Sequence, residues 1–593
     1  MIHTAFARRS RRNPLRSLAR LLLISAAALA LGTTAKAQAP DETFDLLNES
    51  ATGSFLAGQH ALADLDTAEA AEFLNTAALA EWENPQVVER SFFAFLADGQ
   101  IDQAASTAKH LLDLIPNNEL AQLVIATQSV KQRRYQSAEQ ILEPLGTDNF
   151  AGITGGILRA WAYVGNGKPD EAAAVLDQLS TGGLEGFLVL HRAMMAEVEG
   201  NTEDAVKFAG TAYNTEPQVA RLVEAYARIL GNAGRFDEAM AVIAQFESQG
   251  LSHSLVDVVK TKLAQKQSPG PFITSVQAGA AEMFHGVGIA LARDGGADLA
   301  VAFLRLALYL EPESDVVKLA LGQLLDISNQ HDLANAIYNQ VPEGSPMKPT
   351  AVIRVSQNLD AMGDRTEAIR QLSNIVATRP ADTDAASVLG DLLREEERYP
   401  EATAAYTKVL DAAPGDRPTD WRFYYVRAIS YERDKRWPEA EKDFLRALEL
   451  NPDQPQVLNY LGYSWVDKGM NYDQALGMIE KAVEASPGDG YIVDSLGWAF
   501  YKLGRMEEAV RTLEQAVQLR PNDPEINDHL GDAYWKVGRK QEARFQWTVA
   551  GSQDETGAVK ERVAPKLANG LPADGVAPAA AIAPTAETQA VTP

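Results

Sequence analysis

The chain has 593 residues, with 54 Lys and Arg against 80 Asp and Glu, and a formal net charge of −26 at pH 7. Such an acidic protein repels nucleic acid and anionic lipid surfaces, so neither is an expected partner. The sequence has no cysteine, which excludes disulfides, a thiol nucleophile, a cysteine metal site and a lipidated N-terminal cysteine.

The N-terminus has the layout of an export signal. Six arginines between Arg8 and Arg20 precede an apolar stretch, residues 21–34, and Ala35-Lys36-Ala37 supplies an A-x-A cleavage site. We expect residues 1–37 to be removed and the mature protein to be exported to the periplasm as a soluble protein. The apolar stretch is too short to cross a bilayer, so no integral membrane segment is expected after cleavage. A mitochondrial presequence is the alternative, and the sequence leaves open whether export follows the general or the twin-arginine route.

A 34-residue period governs the rest of the chain. Near the C-terminus, six residues recur 34 positions later: Leu496, Gly497, Phe500, Ala509, Leu513 and Ala516 match Leu530, Gly531, Tyr534, Ala543, Trp547 and Ala550. This spacing resembles the L-G-x2-Y…A-x3-F pattern of the tetratricopeptide repeat (TPR), a pair of antiparallel helices. It predicts an all-α fold, a right-handed TPR superhelical solenoid of about 14 helix pairs.

Following the period in both directions predicts the domain organisation. Residues 38–50 form an N-terminal extension, and residues 51–253 form a solenoid of about six repeats, the first of which are degenerate. A non-repeat linker or capping helix, residues 254–280, separates them from about eight further repeats in residues 281–556. Residues 557–593 are rich in Ala and Pro and cannot build a core, so we expect a disordered tail.

Aromatic and polar side chains recur on the predicted concave face of the last four repeats. Positions 2, 5, 9, 12 and 13 of the first helix of each repeat face this side, where packing does not require large rings. Trp and Tyr beside Asp on a rigid surface are typical of a binding hot spot. Alternatively, the rings cover a capping element or the N-terminal solenoid. The predicted protein-binding groove consists of Arg422, Tyr425, Asn459, Tyr463, Asp494, Trp498, Tyr501, Asp528, Asp532 and Trp535.

No motif predicts catalysis. The sequence lacks H-E-x-x-H, G-x-S-x-G and the dinucleotide-binding G-x-G-x-x-G, and its eight histidines are scattered. Carboxylates in an acidic helical chain usually form a solvated face. We therefore predict a protein that is not an enzyme and has no catalytic residue, cofactor or metal site. An unrecognised hydrolase would require a buried cluster of carboxylates with perturbed pKa values.

Three runs resemble a family of Gram-negative envelope TPR proteins: LNYLGYSW (458–465), DSLGWAFY (494–501) and DHLGDAYW (528–535). The likeness covers about residues 420–550 and includes the concave positions. It implies an adaptor that joins a periplasmic carboxy-terminal-processing protease to its substrates, among them cell-wall hydrolases. Members of the family are lipoproteins, and since this chain has no cysteine, membrane anchoring does not carry over.

From these observations we expect a scaffold or adaptor of the cell envelope whose partners are proteins. The alternative is a structural component of an envelope export or polysaccharide-secretion machine. The identity of the partner separates the two hypotheses: a soluble protease with wall hydrolases, or an outer-membrane channel.

Overall fold

The protein is described by a computed structural model that covers residues 50–145, 150–179, 184–412, 415 and 417–572. These residues form 30 α-helices and two short 3-10 helices, and no β-strand occurs among them. The all-α prediction is confirmed. Contacts divide the chain at Ala368 and Ile369, and we call the part before the division unit 1 and the part after it unit 2.

Unit 1 contains eighteen complete helices and the start of a nineteenth. They are α1 Ala51–Ala63, α2 Thr67–Ala80, α3 Pro85–Asp98, α4 Ile101–Leu114, α5 Glu119–Lys131, α6 Tyr135–Leu142, α7 Phe150–Gly165, α8 Pro169–Gln178, α9 Glu185–Glu199, α10 Thr202–Tyr213, α11 Ala220–Asn232, α12 Phe236–Ser248, α13 Ser254–Ala264, α14 Val276–Arg293, α15 Ala297–Leu310, α16 Asp315–Ile327, α17 His331–Tyr338, α18 Lys348–Ala361 and α19 Arg365–Thr378.

Unit 2 contains the remaining eleven helices. They are α20 Thr383–Glu395, α21 Tyr399–Asp411, α22 Trp421–Arg433, α23 Trp437–Leu450, α24 Pro455–Asp467, α25 Tyr472–Ala485, α26 Gly490–Lys502, α27 Met506–Leu519, α28 Pro524–Lys536, α29 Lys540–Gln553 and α30 Ala558–Asn569. In chain order the 30 helices correspond to the fourteen predicted pairs, with α13 and α30 as single helices.

The repeat pattern is explained by the contact between the two helices of a pair. A glycine on the first helix faces a large side chain sixteen residues later on the second. In the last repeat, a Cβ at Gly531 would lie 2.4 Å from Cδ1 of Trp547, so only glycine allows the indole to pack there. Trp547 is fully buried. The same relation holds for Gly322 with Tyr338 and for Gly390 with Tyr406.

The boundary between the units differs from the interruption seen in the sequence. α13 lies in the predicted linker and packs against α11 and α12. The next two helices, which the sequence assigns to the second solenoid, pack instead on the first one: α14 contacts α7 and α9, and α15 contacts α3 and α5. This return of the chain places residues up to Ala368 in unit 1. The division into six and eight repeats stays a prediction.

The predicted disordered tail needs a correction, because residues 558–569 form α30. α30 packs against α28 and α29 at the end of unit 2, where Val559 and Val563 are buried. The Ala- and Pro-rich composition hid this helix, which has Pro565 in its interior. Residues 573–593 lie outside the described part of the chain, as do the predicted signal peptide and most of the N-terminal extension.

Candidate protein-binding site

The first helices of the repeats form the inner row of unit 2. α24 contacts α26, α26 contacts α28, and α28 contacts α30, although a second helix separates each pair in sequence. First helices that touch across a repeat lie on the inside of the curve of a solenoid. Side chains that point away from the second helices on this row therefore form the concave face, which we call the inner face of unit 2.

The structure places all ten predicted groove residues on these first helices, and none of them is exposed. Five are buried: Asn459, Asp494, Trp498, Asp528 and Asp532. The other five are half-buried: Arg422, Tyr425, Tyr463, Tyr501 and Trp535. Only the second set offers side-chain surface to a partner in this conformation, and the binding role of all ten stays a prediction.

Acidic side chains of the inner face pair with cations on the next repeat. In each pair the acid lies on one helix of the row and the cation follows 34 to 38 residues later. We call this series the inner ladder. Its pairs are Glu432–Lys468, Asp467–Lys502, Asp494–His529, Glu525–Arg562, Asp528–Arg562, Asp528–Lys566 and Asp532–Lys566. The acids that the sequence assigns to partner binding thus hold neighbouring repeats together.

Trp498 packs between two other rings. Its indole stacks on Tyr501 at 4.7 Å between ring centroids and on His529 at 4.1 Å. His529 Nδ1 lies 2.9 Å from Oδ2 of Asp494. Burial by itself lowers the pKa of His529, but Asp494 and the nearby Glu525 and Asp528 outweigh that effect and raise it. Trp498 is therefore part of the packing between α26 and α28.

Three tyrosines on the first helices of unit 2 are half-buried: Tyr425, Tyr463 and Tyr501. Tyr425 packs edge-on against Tyr460 at 6.1 Å between centroids, and burial raises its pKa. Burial also raises the pKa of Tyr463, together with the charges of Asp467 and Asp494. These hydroxyls stay protonated at neutral pH, so they can donate hydrogen bonds to a partner. A buried acceptor, Oδ1 of Asn459, has no hydrogen-bond partner among the described residues.

Two cations of α30 complete the inner ladder at its last repeat. Arg562 Nε donates to Oδ2 of Asp528 at 2.7 Å, and Lys566 Nζ donates to Asp528 Oδ1 at 2.6 Å and Asp532 Oδ1 at 2.8 Å. Asp532 also accepts from Nε1 of Trp547 at 2.9 Å. The carboxylates of Asp528 and Asp532 are both 1% exposed. A buried carboxylate without a cation is strongly destabilising, so Arg562 and Lys566 compensate the cost of burying these two charges.

The inner face of unit 1 is filled by α14 and α15. Gly279 of α14 lies on the indole of Trp161, where a Cβ would come within 2.1 Å of Cη2. Arg221 of α11 forms two hydrogen bonds with the carboxylate of Glu282 on α14, at 2.8 and 2.7 Å. Arg305 of α15 donates to the carbonyl of Ala97 at 3.1 Å. Where α14 and α15 lie on the first helices of unit 1, the described side chains are packed together.

His191 is fully buried beneath α14, and no carboxylate of the described residues forms an ion pair with it. Its Nδ1 accepts a hydrogen bond from Trp161 Nε1 at 3.2 Å, and its Nε2 has no partner in the described residues. Burial lowers the pKa of His191 to about 4, although the charge of Glu282 acts in the opposite direction. The imidazole is therefore neutral at physiological pH and belongs to the core of unit 1.

Sequence reasoning missed His529, Arg562, Lys566 and the filling of unit 1. Arg562 and Lys566 follow Asp528 and Asp532 by 34 residues each, so extending the period by one helix would have found them. His529 lies one position after Asp528 on α28, outside the expected concave positions, and no sequence signal marks it. Within the described residues, no three His, Cys, Asp or Glu side chains could hold a metal ion, and no helix is long and apolar enough to cross a membrane.

Comparison with known proteins agrees with this architecture. Tetratricopeptide repeat profiles match residues 356–417 and 421–454, and a TPR repeat profile matches residues 497–538. The chain carries TPR repeats. TPR solenoids generally bind other proteins and are generally not catalytic.

Curated relatives share only part of their length with this chain. A TPR repeat-containing protein of Pseudomonas aeruginosa is 28% identical over 200 residues, 33% of each protein. Protein O-mannosyl-transferase TMTC1 of Homo sapiens is 27% identical over 217 residues, 37% of this chain and 24% of the relative. Hsp70-Hsp90 organizing protein 1 of Glycine max is 26% identical over 144 residues, 24% of each. The chain thus spans a third or less of the length of these relatives.

Among solved structures, the chain is similar to one in the crystal structure of the APC/C hetero-tetramer Cut9-Hcn1. That match is 15% identical with a TM-score of 0.36 and covers 89% of this chain and 98% of the other. A MamA structure is 26% identical with a TM-score of 0.24 and covers 31% of this chain and 97% of its own. Similarity at these TM-scores implies nothing about partners.

Proposed function

We propose that the protein is a non-enzymatic scaffold that holds protein partners on the inner face of unit 2. The observation that carries the proposal is the difference between the two inner faces. α14 and α15 fill that of unit 1, whereas Tyr425, Tyr463 and Tyr501 remain half-buried on three successive first helices of unit 2. Rigid tyrosines supply contact area and hydrogen bonds at low entropic cost, which suits them to protein recognition.

The finer proposal is an adaptor of the cell envelope. It is supported by the signal-like residues 1–37 and by the resemblance of residues 420–550 to envelope TPR proteins. In this role the inner face delivers substrates, such as cell-wall hydrolases, to a periplasmic carboxy-terminal-processing protease. Location is tested by N-terminal sequencing of the protein released from the envelope by osmotic shock. We expect Gln38 as the first residue; an intact Met1 in the cytoplasmic fraction would contradict export.

Photo-cross-linking in living cells tests the binding surface. A photoreactive phenylalanine analogue replaces Tyr463 or Tyr501 on the inner face, and, as the matched control, Tyr472 of α25, a tyrosine that is 39% exposed. We expect the two inner-face positions to cross-link to the same partner and position 472 to give no such adduct. Mass spectrometry then identifies the partner: a protease or wall hydrolase supports the adaptor, and an export channel supports the structural alternative. Equal adducts from all three positions, or none from any, would contradict the proposed site.

A further inference from the structure

α30 is the last helix of the inner row. The side of α30 that packs on α28 and α29 carries apolar and basic residues in alternation. Val559, Arg562, Val563, Lys566 and Leu567 follow one another at spacings of three and one, which places them on one side of a helix. The two valines are buried in the same cluster as Trp547 and Ala550. The two basic residues contact the acids of α28.

The surface under α30 has the matching chemistry. Glu525, Asp528 and Asp532 lie on one face of α28, and the rings of Trp535 and Trp547 lie 5.4 Å apart beside them. Without α30, Asp528 and Asp532 would lose the cations that now pair with them, and their like charges would repel each other. The surface is therefore complementary to a helix that carries two cations one turn apart, with apolar residues next to them.

α30 depends on its neighbours for its order. It is the last described helix, it is joined to α29 by four residues, and it packs against α28 and α29 at the end of the row. Pro565 deprives it of one backbone hydrogen bond inside the helix. Twelve residues with an interior proline do not form a stable helix alone in water, so α30 is ordered by its seat on α28 and α29.

We propose that the surface formed by α28 and α29 is an exchangeable helix-binding site, and that α30 is its built-in occupant. The external partner is a protein segment that forms an amphipathic helix with Arg or Lys at positions i and i+4 and aliphatic residues beside them. This inference rests on the proposed binding function of unit 2 and names the partner chemistry at its last repeat. A tethered α30 has a high effective concentration, so it excludes weak partners and admits those that bind more tightly.

The test uses a fluorescent peptide of residues 557–572 as the probe and the full chain as the receptor, with binding followed by anisotropy. In the double variant Arg562→Glu/Lys566→Glu, the new glutamates of α30 are repelled by the acids of α28, so the tethered α30 dissociates from α28 and α29. We expect this variant to bind the peptide at least about tenfold more tightly than the unchanged chain, because the competing tethered helix is gone. A peptide with the same two charge reversals should not bind.

Equal affinity of the variant and the unchanged chain for the peptide would overturn the proposal, and so would tight binding of the charge-reversed peptide. If circular dichroism shows that the double variant is unfolded, Gly570→Val serves instead. A Cβ at Gly570 would lie 1.9 Å from Trp535 Cζ2, so this change loosens the end of α30 without substituting any residue of α28, and it should also strengthen peptide binding. The probe requires no native partner, so failure here is distinguishable from failure of the cross-linking experiment.

Discussion

The two units use the same helix pairs but close their inner faces in different ways. In unit 1, α14 and α15 lie across the inner row and bury an apolar layer that includes Trp161. In unit 2, the inner row keeps half-buried tyrosines, its acids pair along the inner ladder, and α30 packs on the last repeat. This contrast in packing is the basis for the binding surface proposed on unit 2.

We expect the largest change in the free energy of unfolding from a substitution at the contact between α14 and Trp161. In Gly279→Ala the new Cβ would lie 2.1 Å from Cη2 of the indole, and neither the ring nor the helix can move without opening the layer. Overpacking of this kind costs about 3 kcal/mol of unfolding free energy. Urea unfolding measures the loss, and hydrogen exchange of α7 assigns it to unit 1.

The matched control is Gly477→Ala in α25 of unit 2. No atom lies within 4 Å of a Cβ at this helical glycine. Because alanine favours the helix, we expect no loss, or a gain of up to about 1 kcal/mol. Equal destabilisation by the two changes would show that α14 is not seated on Trp161 as described.

Because of His191, the free energy of unfolding of unit 1 should decrease as the pH falls. Burial lowers its pKa to about 4 in the folded chain, while an unfolded histidine titrates near 6.5, so between these values the unfolded chain binds more protons. Unit 1 should lose on the order of 3 kcal/mol as the pH falls through this window. His191→Gln keeps an acceptor for Trp161 and should remove the dependence, measured as the urea midpoint against pH. An unchanged slope in the variant would assign it to another group.

His529 should give unit 2 the opposite dependence. Its pKa is raised by Asp494 despite burial, so the folded chain holds the proton more tightly than the unfolded chain. The stabilisation is complete below pH 6.5 and is lost as the pH rises through the folded pKa. His529→Gln should abolish this loss, and NMR titration of the imidazole checks its sign. A folded pKa below that of an unfolded histidine would contradict the Asp494 contact.

The smallest effect concerns a single half-buried pair of the inner ladder. Lys502 Nζ lies 3.6 Å from Oδ1 of Asp467. Lys502→Met keeps the length of the side chain and removes the charge, so we expect a loss of at most about 1 kcal/mol. The difference should shrink in high salt. Urea unfolding at low and high ionic strength checks this, and a loss that does not depend on salt would point to packing of the stem instead.

Repeat periodicity predicted the fold because the pattern reports contacts within one repeat, such as Gly531 with Trp547. All ten candidate residues lie on first helices of unit 2, and their role in binding stays a prediction. Periodicity could not show that α14 turns back onto Trp161, since that contact joins residues 118 positions apart that belong to different repeats. Nor could it show that Asp528 and Asp532 are neutralised by Arg562 and Lys566, because the composition around Pro565 argued against a helix there.

Hydrogen exchange of the full chain, followed by mass spectrometry, tests whether α14 and α15 are part of the core of unit 1. We expect the amides of α14 and α15 to exchange as slowly as those of α5 and α7, because all four helices open only when unit 1 unfolds. We also expect α30 to exchange well before α28. If α14 and α15 exchanged as fast as α30 while α5 and α7 stayed protected, the inner face of unit 1 would be open to partners, and the contrast between the two units would be wrong.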